Sequence, residues 1–217
     1  MASEHTIRLK VVLDTICPWC YIGKRRIEKA IILAKKKWPD FDAIIEYAPF
    51  QLDSGLGIGL DKNQVYQKKF GTRLPEVLNH IVEVGTKEGI QFKFGGKMSN
   101  TLDSHRLIDY AQSQGGHEMQ EKIVEALHHR YFELEQDIGS REMLLAAAED
   151  AGLNRQQVDT YLESGNGLDA LNTRMEQIRN LGVTGVPFYI LNDRFGISGA
   201  ESPDVILDSF AKVLESK

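Results

Sequence analysis

The chain has 217 residues, 42% hydrophobic and 26% charged, with a formal net charge of −5. That is the composition of a globular protein long enough to bury a core without disulfide staples, as one large domain or two small ones. The mild acidity excludes the clustered basic surface that nucleic acid requires, no apolar run reaches a membrane span, and two cysteines are too few for a secreted disulfide scaffold.

The opening Met1-Ala2-Ser3-Glu4-His5-Thr6 has no apolar stretch behind a basic one, so no secretory leader is visible and a soluble, cytoplasmic protein is expected. Ile7 to Leu13 is short, rich in Val and Leu, and reads as a buried strand. The two cysteines, Cys17 and Cys20, follow at once. Behind them Ile27, Ala30, Ile31, Ala34 and Trp38 fall on one helical face, and Pro39-Asp40 ends that helix. Lys35-Lys36-Lys37 belongs at its C-terminal end, where cations suit the helix dipole. Phe41 to Phe50 is a second strand, and the order strand, helix, strand predicts parallel pairing.

Asp53 to Leu60 is rich in glycine but lacks the spacing of a phosphate loop, and reads as a linker. From Lys62 to about Leu181 the pattern is predominantly helical. Ile123, Leu127, Tyr131 and Leu134 form one stripe, and Leu168, Leu171, Met175 and Ile178 another. Asn154 with Gln157 marks a helix start, and Gly152 and Gly182 mark stops. The stretch FKFGGK, from Phe92, is an irregular or extended interruption. Strand character returns in Val186 to Asn192, followed by the polar turn Asp193-Arg194 and by Phe195 to Gly199, a hairpin. Ser202-Pro203-Asp204 opens a last helix with Ile206, Phe210, Val213 and Leu214 on its buried face. Without the helical block, the remainder is an α/β layer of about four strands.

A Cys-x-x-Cys pair where a strand gives way to a helix has a physical basis for redox work. Cys17 lies among unsatisfied backbone N–H groups at the positive end of the helix, which stabilise a thiolate. Pro18 suits the first turn, and Cys20 falls about one turn on, within disulfide reach. Cys17 then attacks a substrate disulfide and Cys20 resolves the intermediate. Three other readings compete: inert buried thiols, half of a zinc site, and a structural disulfide. No second cysteine pair and no His-x-x-x-His spacing supplies further metal ligands, so no metal is expected. Pro187 at a strand start cannot donate to a sheet ladder, and a cis Val186–Pro187 bond is one explanation.

These features together resemble the DsbA-like thioredoxin superfamily, and within it the FrnE-like dithiol-disulfide oxidoreductases. The resemblance is carried by DTICPWCYIGKRRIE from Asp14, SNTLDSHRL to Leu107, DIGSREML from Asp137, and GVTGVPFYILNDRFGISGA to Ala200. It covers nearly the whole chain. It implies a thioredoxin-like fold (β-α-β, then β-β-α) from residues 1–55 and 183–217, interrupted by a helical insertion domain of residues 56–182. It also implies that Cys17 is the nucleophile and Cys20 the resolving thiol, and that Pro187 is cis beside them, with the Val186 backbone pairing with extended substrate. Pro18 and Trp19 complete the catalytic motif. Asp14 is a candidate for tuning Cys17 or accepting a proton, with strand termination as its plain alternative. Asn100, Thr101 and His105 are candidates for lining the cleft, against a helix cap and a solvated histidine. Ser104, Ser140 and Glu201 depart from the family's pattern, which bears on partner preference. The expected partner is a disulfide- or dithiol-containing protein or a small thiol, with no cofactor beyond glutathione as a co-substrate. Rival functions are a glutathione-dependent transferase or isomerase, of the kappa-class or hydroxychromene carboxylate type, and a chaperone module with secondary redox activity.

Overall fold

A computed structural model describes residues 4–216. The first residues of the supposed leaderless start, Met1 to Ser3, and Lys217 lie outside that range. The chain opens with strand β1 (Thr6–Leu13), helix α1 (Pro18–Lys37) and strand β2 (Asp42–Pro49). It closes with β5 (Phe188–Leu191), β6 (Phe195–Ser198) and α8 (Pro203–Glu215). These build one sheet in the order β2-β1-β5-β6. β1 and β2 are parallel, with Thr6 opposite Asp42 and Leu13 opposite Pro49, while β5 runs antiparallel to β1 and β6 antiparallel to β5.

Alternation along β1 explains the layering. Ile7, Leu9, Val11 and Leu13 belong to the large core that also takes in α1 and α8. Val12 points the other way and packs with Ala48, Ile178 and Val183. On the first face Phe41 and Phe210 stack with ring centroids 5.4 Å apart. The hairpin turn has Asn192 and Asp193 at φ 48° and 56°, and Arg194 N–H closes onto Leu191 O at 3.0 Å. Three residues, Asn192 to Arg194, link the strands, and Asn and Asp tolerate the left-handed conformation this turn needs. The strand expected from Val186 begins only at Phe188, because the Val186–Pro187 bond is cis and Pro187 has no N–H for the ladder.

Between β2 and β5 run β3 (Leu60–Asp61), α2 (Lys62–Phe70), a short 3-10 turn (Gly71–Arg73), α3 (Leu74–Lys87) and β4 (Lys97–Met98). Then come α4 (Leu102–Phe132), α5 (Arg141–Ala151), α6 (Arg155–Glu163) and α7 (Leu168–Asn180). The β3–β4 ladder pairs the end of the stretch read as linker with the end of the stretch read as an irregular or extended interruption; two-residue strands carry no periodicity, so the pairing itself was not legible. α4 is broken at Gly115 and Gly116, the latter at φ 66°. Leu134, assigned to the buried stripe of this helix, lies past its end and is 47% exposed. The expected caps form: the Asn154 side chain accepts from Gln157 N–H and that of Ser202 from Val205 N–H.

α1 is buried on all sides at its start, from Cys20 through Lys24, where Tyr21 and Lys24 meet Phe132 and Glu125 of α4 and Gly23 faces Tyr189 of β5. Tyr21 is fully enclosed, its hydroxyl donating to Glu133 at 2.8 Å. The edge of β2 is covered without another strand. Gln120 on α4 accepts from Tyr47 N–H at 2.8 Å and donates to Tyr47 O at 3.1 Å, so one amide side chain substitutes for a neighbouring backbone. Arg174 on α7 also donates to Tyr47 O.

Candidate active site

Asp14, Thr15 and Ile16 carry the chain from β1 to α1, and Cys17 is the N-cap of that helix with φ −89° and ψ 112°. Its side chain makes no capping bond, Pro18 occupies the first turn, and no acidic residue lies there. The sulfur therefore faces the positive end of a 20-residue helix with no carboxylate in the first turn to compete for it. Cys17 N–H donates to Asp14 O and Cys20 N–H to Cys17 O, both at 3.0 Å. The two thiols are free.

Both cysteines are buried, at 4% and 2% exposure. Burial in apolar packing is the arrangement of inert thiols, so what surrounds each sulfur decides its chemistry. Cys17 lines a cleft of about 320 Å³; Cys20 does not. Across the cleft from α1 are α2 and α3, through Tyr66, Phe70, Val77 and Ile81. Leu52 and Leu56 of the loop after β2 close one side, and Val186 the other. Asp53 and Lys69 are the charged side chains lining it. The Cys17 thiol donates to Val186 O at 3.7 Å, so the residue before cis Pro187 lies directly against the sulfur. Burial, and then the Cys17 sulfur beside it, push the Cys20 thiol well above its ordinary value.

Trp19 is half-buried, lines the cleft and rests against His80 with ring centroids 5.6 Å apart. Pro18 lines the cleft as well. Asp14 is fully buried behind the dithiol. One of its oxygens accepts from Leu52 N–H at 2.7 Å, which ties the cleft loop to the cysteine loop.

Asn100, Thr101 and His105 are not among the residues lining the cleft. Asn100 is consumed in bracing: Oδ1 accepts from Gln51 and from Leu102 N–H, and Nδ2 donates to Ser54 O. Thr101 Oγ1 accepts from the same Gln51 amide at 3.2 Å. They shape the cleft loop from behind. His105, for which a solvated position was the alternative, is 1% exposed; it bonds Phe50 O through Nε2 at 2.9 Å. Ser104 donates to Thr101 O and meets Thr15 Oγ1, both at 2.7 Å, which joins α4 to the cysteine loop. The α2–α3 wall went unassigned from sequence. Its signal was present in Leu74, Val77, Leu78 and Ile81, an i, i+3, i+4, i+7 stripe that is only half-buried over its first three members.

The sequence profile of the DSBA-like thioredoxin domain matches residues 8–211. Among solved structures, a probable DsbA oxidoreductase from Streptomyces coelicolor is similar at TM-score 0.86 and 25% identity, over 97% of this chain and 91% of that one. A 2-hydroxychromene-2-carboxylate isomerase is similar at TM-score 0.69 and 14% identity, over 96% and 97% of the two chains. The cytosolic disulfide reductase DsbM from Pseudomonas aeruginosa, solved with glutathione, is similar at TM-score 0.62 and 15% identity, over 96% and 98%. The latter two likenesses speak to fold alone. Among the described residues no helix is long and apolar enough to cross a membrane, and no group of three or more His, Cys, Asp or Glu could hold a metal ion.

Proposed function

The chain belongs to the DsbA-like thioredoxin family, and from that premise we propose that it is a thiol-disulfide oxidoreductase working through Cys17 and Cys20. The observation that carries the reading is the asymmetry of the two sulfurs. Cys17 lines the cleft at a helix N-terminus, while Cys20 is enclosed, one turn on, with its thiol held protonated. In the reducing direction the Cys17 thiolate attacks one substrate sulfur, forms a mixed disulfide and releases the other sulfur as a thiolate. Cys20 then gives up its proton and attacks Cys17. The second substrate sulfur leaves, the substrate has gained two electrons, and the pair is oxidised. Asp14 is the proton acceptor for Cys20, and the Val186 carbonyl anchors an extended substrate. The reverse sequence donates a disulfide. No bound cofactor takes part.

The cleft argues for the substrate class. Its walls are apolar and aromatic, with a single lysine and a single aspartate lining them. That suits an apolar polypeptide segment flanking a cysteine better than a small peptide thiol with two carboxylates, which needs more than one cation. Glutathione then has the role of recycling the pair. A transferase or isomerase would need one sulfur only, and would leave Cys20 without a task.

The test is a pair of single substitutions assayed on a disulfide-bonded apolar peptide. Cys17→Ser is expected to abolish turnover. Cys20→Ser is expected to accumulate a peptide–Cys17 mixed disulfide, visible by mass. Turnover that survives Cys20→Ser and depends on glutathione would instead establish the transferase or isomerase reading.

A further inference from the structure

His105 lies behind the dithiol rather than in the cleft, and its surroundings give it a different task. Asp14 is enclosed, and its Oδ1 accepts no hydrogen bond. A bare carboxylate oxygen in the interior is costly unless something nearby stabilises its charge. His105 Nε2, on the first half of α4, lies 3.5 Å from it. The hydrogen bond from Nε2 to Phe50 O requires that this nitrogen carry the proton, so an N–H dipole lies beside the carboxylate. At 3.5 Å it is too far to make a full hydrogen bond, which leaves Oδ1 a lone pair free to receive a proton. Asp14 makes no other ion pair among the described residues.

We infer that His105 is the positioning residue of the dithiol: held by Phe50 O, it sets an N–H dipole beside the free Asp14 oxygen that is to take the Cys20 proton. The inference rests on the dithiol reading and deepens it. The balance is simple. Asp14 carboxylate and Cys20 thiol become carboxylic acid and thiolate, the thiolate attacks Cys17, and the acid returns its proton to solvent after the substrate thiol has left. His105 changes neither charge nor bonding; its N–H dipole stays beside the Asp14 oxygen throughout the transfer.

Other titratable groups face this pair. Cys17 and Cys20 come from α1. Tyr131, from the second half of α4, faces Asp14, and burial raises it well beyond the neutral range. Asp109 and His128 face His105. Asp109 is paired with Arg174, and burial pushes His128 down to about 3, so it stays neutral.

The experiment is the pH profile of the second step alone, resolution of a preformed peptide–Cys17 mixed disulfide, in the wild type, His105→Phe and His105→Gln. Gln places an N–H where Nε2 was; Phe removes it. His105→Phe is expected to move the acid limb up by about one pH unit and slow resolution about tenfold below it, and His105→Gln to restore the wild-type limb. Coincident limbs in all three proteins would overturn the inference, as would an equal displacement in both variants. Should His105→Phe fail to fold, NMR of the wild type decides: the Asp14 carboxyl carbon and His105 Nε2 are expected to report one shared titration, and independent titrations overturn it. Neither NMR outcome depends on turnover. A wild type that resolves no mixed disulfide at any pH refutes the dithiol reading and leaves the NMR to judge the pair.

Discussion

Lys62 is the residue least expected where it is found. It opens α2 with none of its side chain exposed, no carboxylate of the described residues within ion-pair reach, and its ammonium 3.8 Å above the Tyr131 ring. Among the described residues the ammonium donates to Tyr131 O, at 3.3 Å. Burial pulls it down to about 8, with Glu135 and Asp137 opposing weakly from a distance. The sign follows from linkage. The unfolded chain holds this proton more tightly than the folded one, so the penalty is full below about pH 8 and is relieved as pH rises towards the ordinary lysine value, 10.5. Lys62→Met is therefore expected to stabilise the fold at pH 7 by about 1–3 kcal/mol, after allowing for the lost contact with Tyr131. The gain should shrink between pH 8 and 10.5, read as the difference between urea curves of variant and wild type. At this scale the spacing of Cys17 and Cys20 put them at the start of a helix, and the position of Asp14 put it in the loop before them, as the structure has them. The sequence was silent on Lys62, because a lysine among polar neighbours at a helix start looks solvated. It misdirected on His105, because a histidine in a helical turn shows nothing of the carbonyl it will meet.

Elements were more legible than their junctions. The strand, the helix after the cysteines, the hairpin and the last helix all follow from apolar periodicity and caps, since burial of one face imposes that pattern on the chain. What crosses between elements leaves no period. Gly23 illustrates it. A Cβ there would stand 2.1 Å from the Tyr189 hydroxyl and 3.2 Å from Pro187 Cγ. The glycine is thus what lets β5, with cis Pro187 at its head, approach α1 one turn beyond Cys20. Tyr189 is 1% exposed and has nowhere to swing. Gly23→Ala is expected to cost about 2–3 kcal/mol through overpacking, despite alanine's better helix propensity. In a Tyr189→Phe background the same change should cost at least about 1 kcal/mol less, because the atom nearest the new methyl is gone. Equal penalties in the two backgrounds, by thermal or urea unfolding, would mean that the ring is not what Gly23 accommodates.

The seam between α1 and the helices inserted between β2 and β5 governs how the whole molecule responds to acid. Lys24, 5% exposed, pairs with Glu28 and with Glu125 at 3.0 Å; Arg25 pairs with Glu28 at 3.1 Å and with Glu125. Arg26 and Lys29 hold Glu88, beyond the end of α3, at 2.7 and 2.6 Å. One helix thus binds both α4 and the α3 wall of the cleft by charge. Nothing in the sequence pairs residue 24 with residue 125, since both lie on helices that carry many charges. Burial raises Glu125, but Lys24 and Arg25 outweigh it and hold the carboxyl at about 2; Glu88 is lowered by Lys29 and Arg26 against the same opposition. Folded carboxyls depressed below their unfolded values give stability that is complete above about pH 4.5 and is lost as pH falls towards 2. Glu125 is about a third exposed, so solvent screening discounts what that shift would give in a dry interior. Glu125→Gln is accordingly expected to cost about 1–2 kcal/mol at pH 7, much of it from Lys24 left enclosed with fewer counter-charges. The cost should fade towards pH 2, where the wild-type carboxyl is itself protonated, so urea curves of the two proteins should converge there. Curves that stay equally separated from pH 7 to pH 2 would show that Glu125 acts through packing and not through charge.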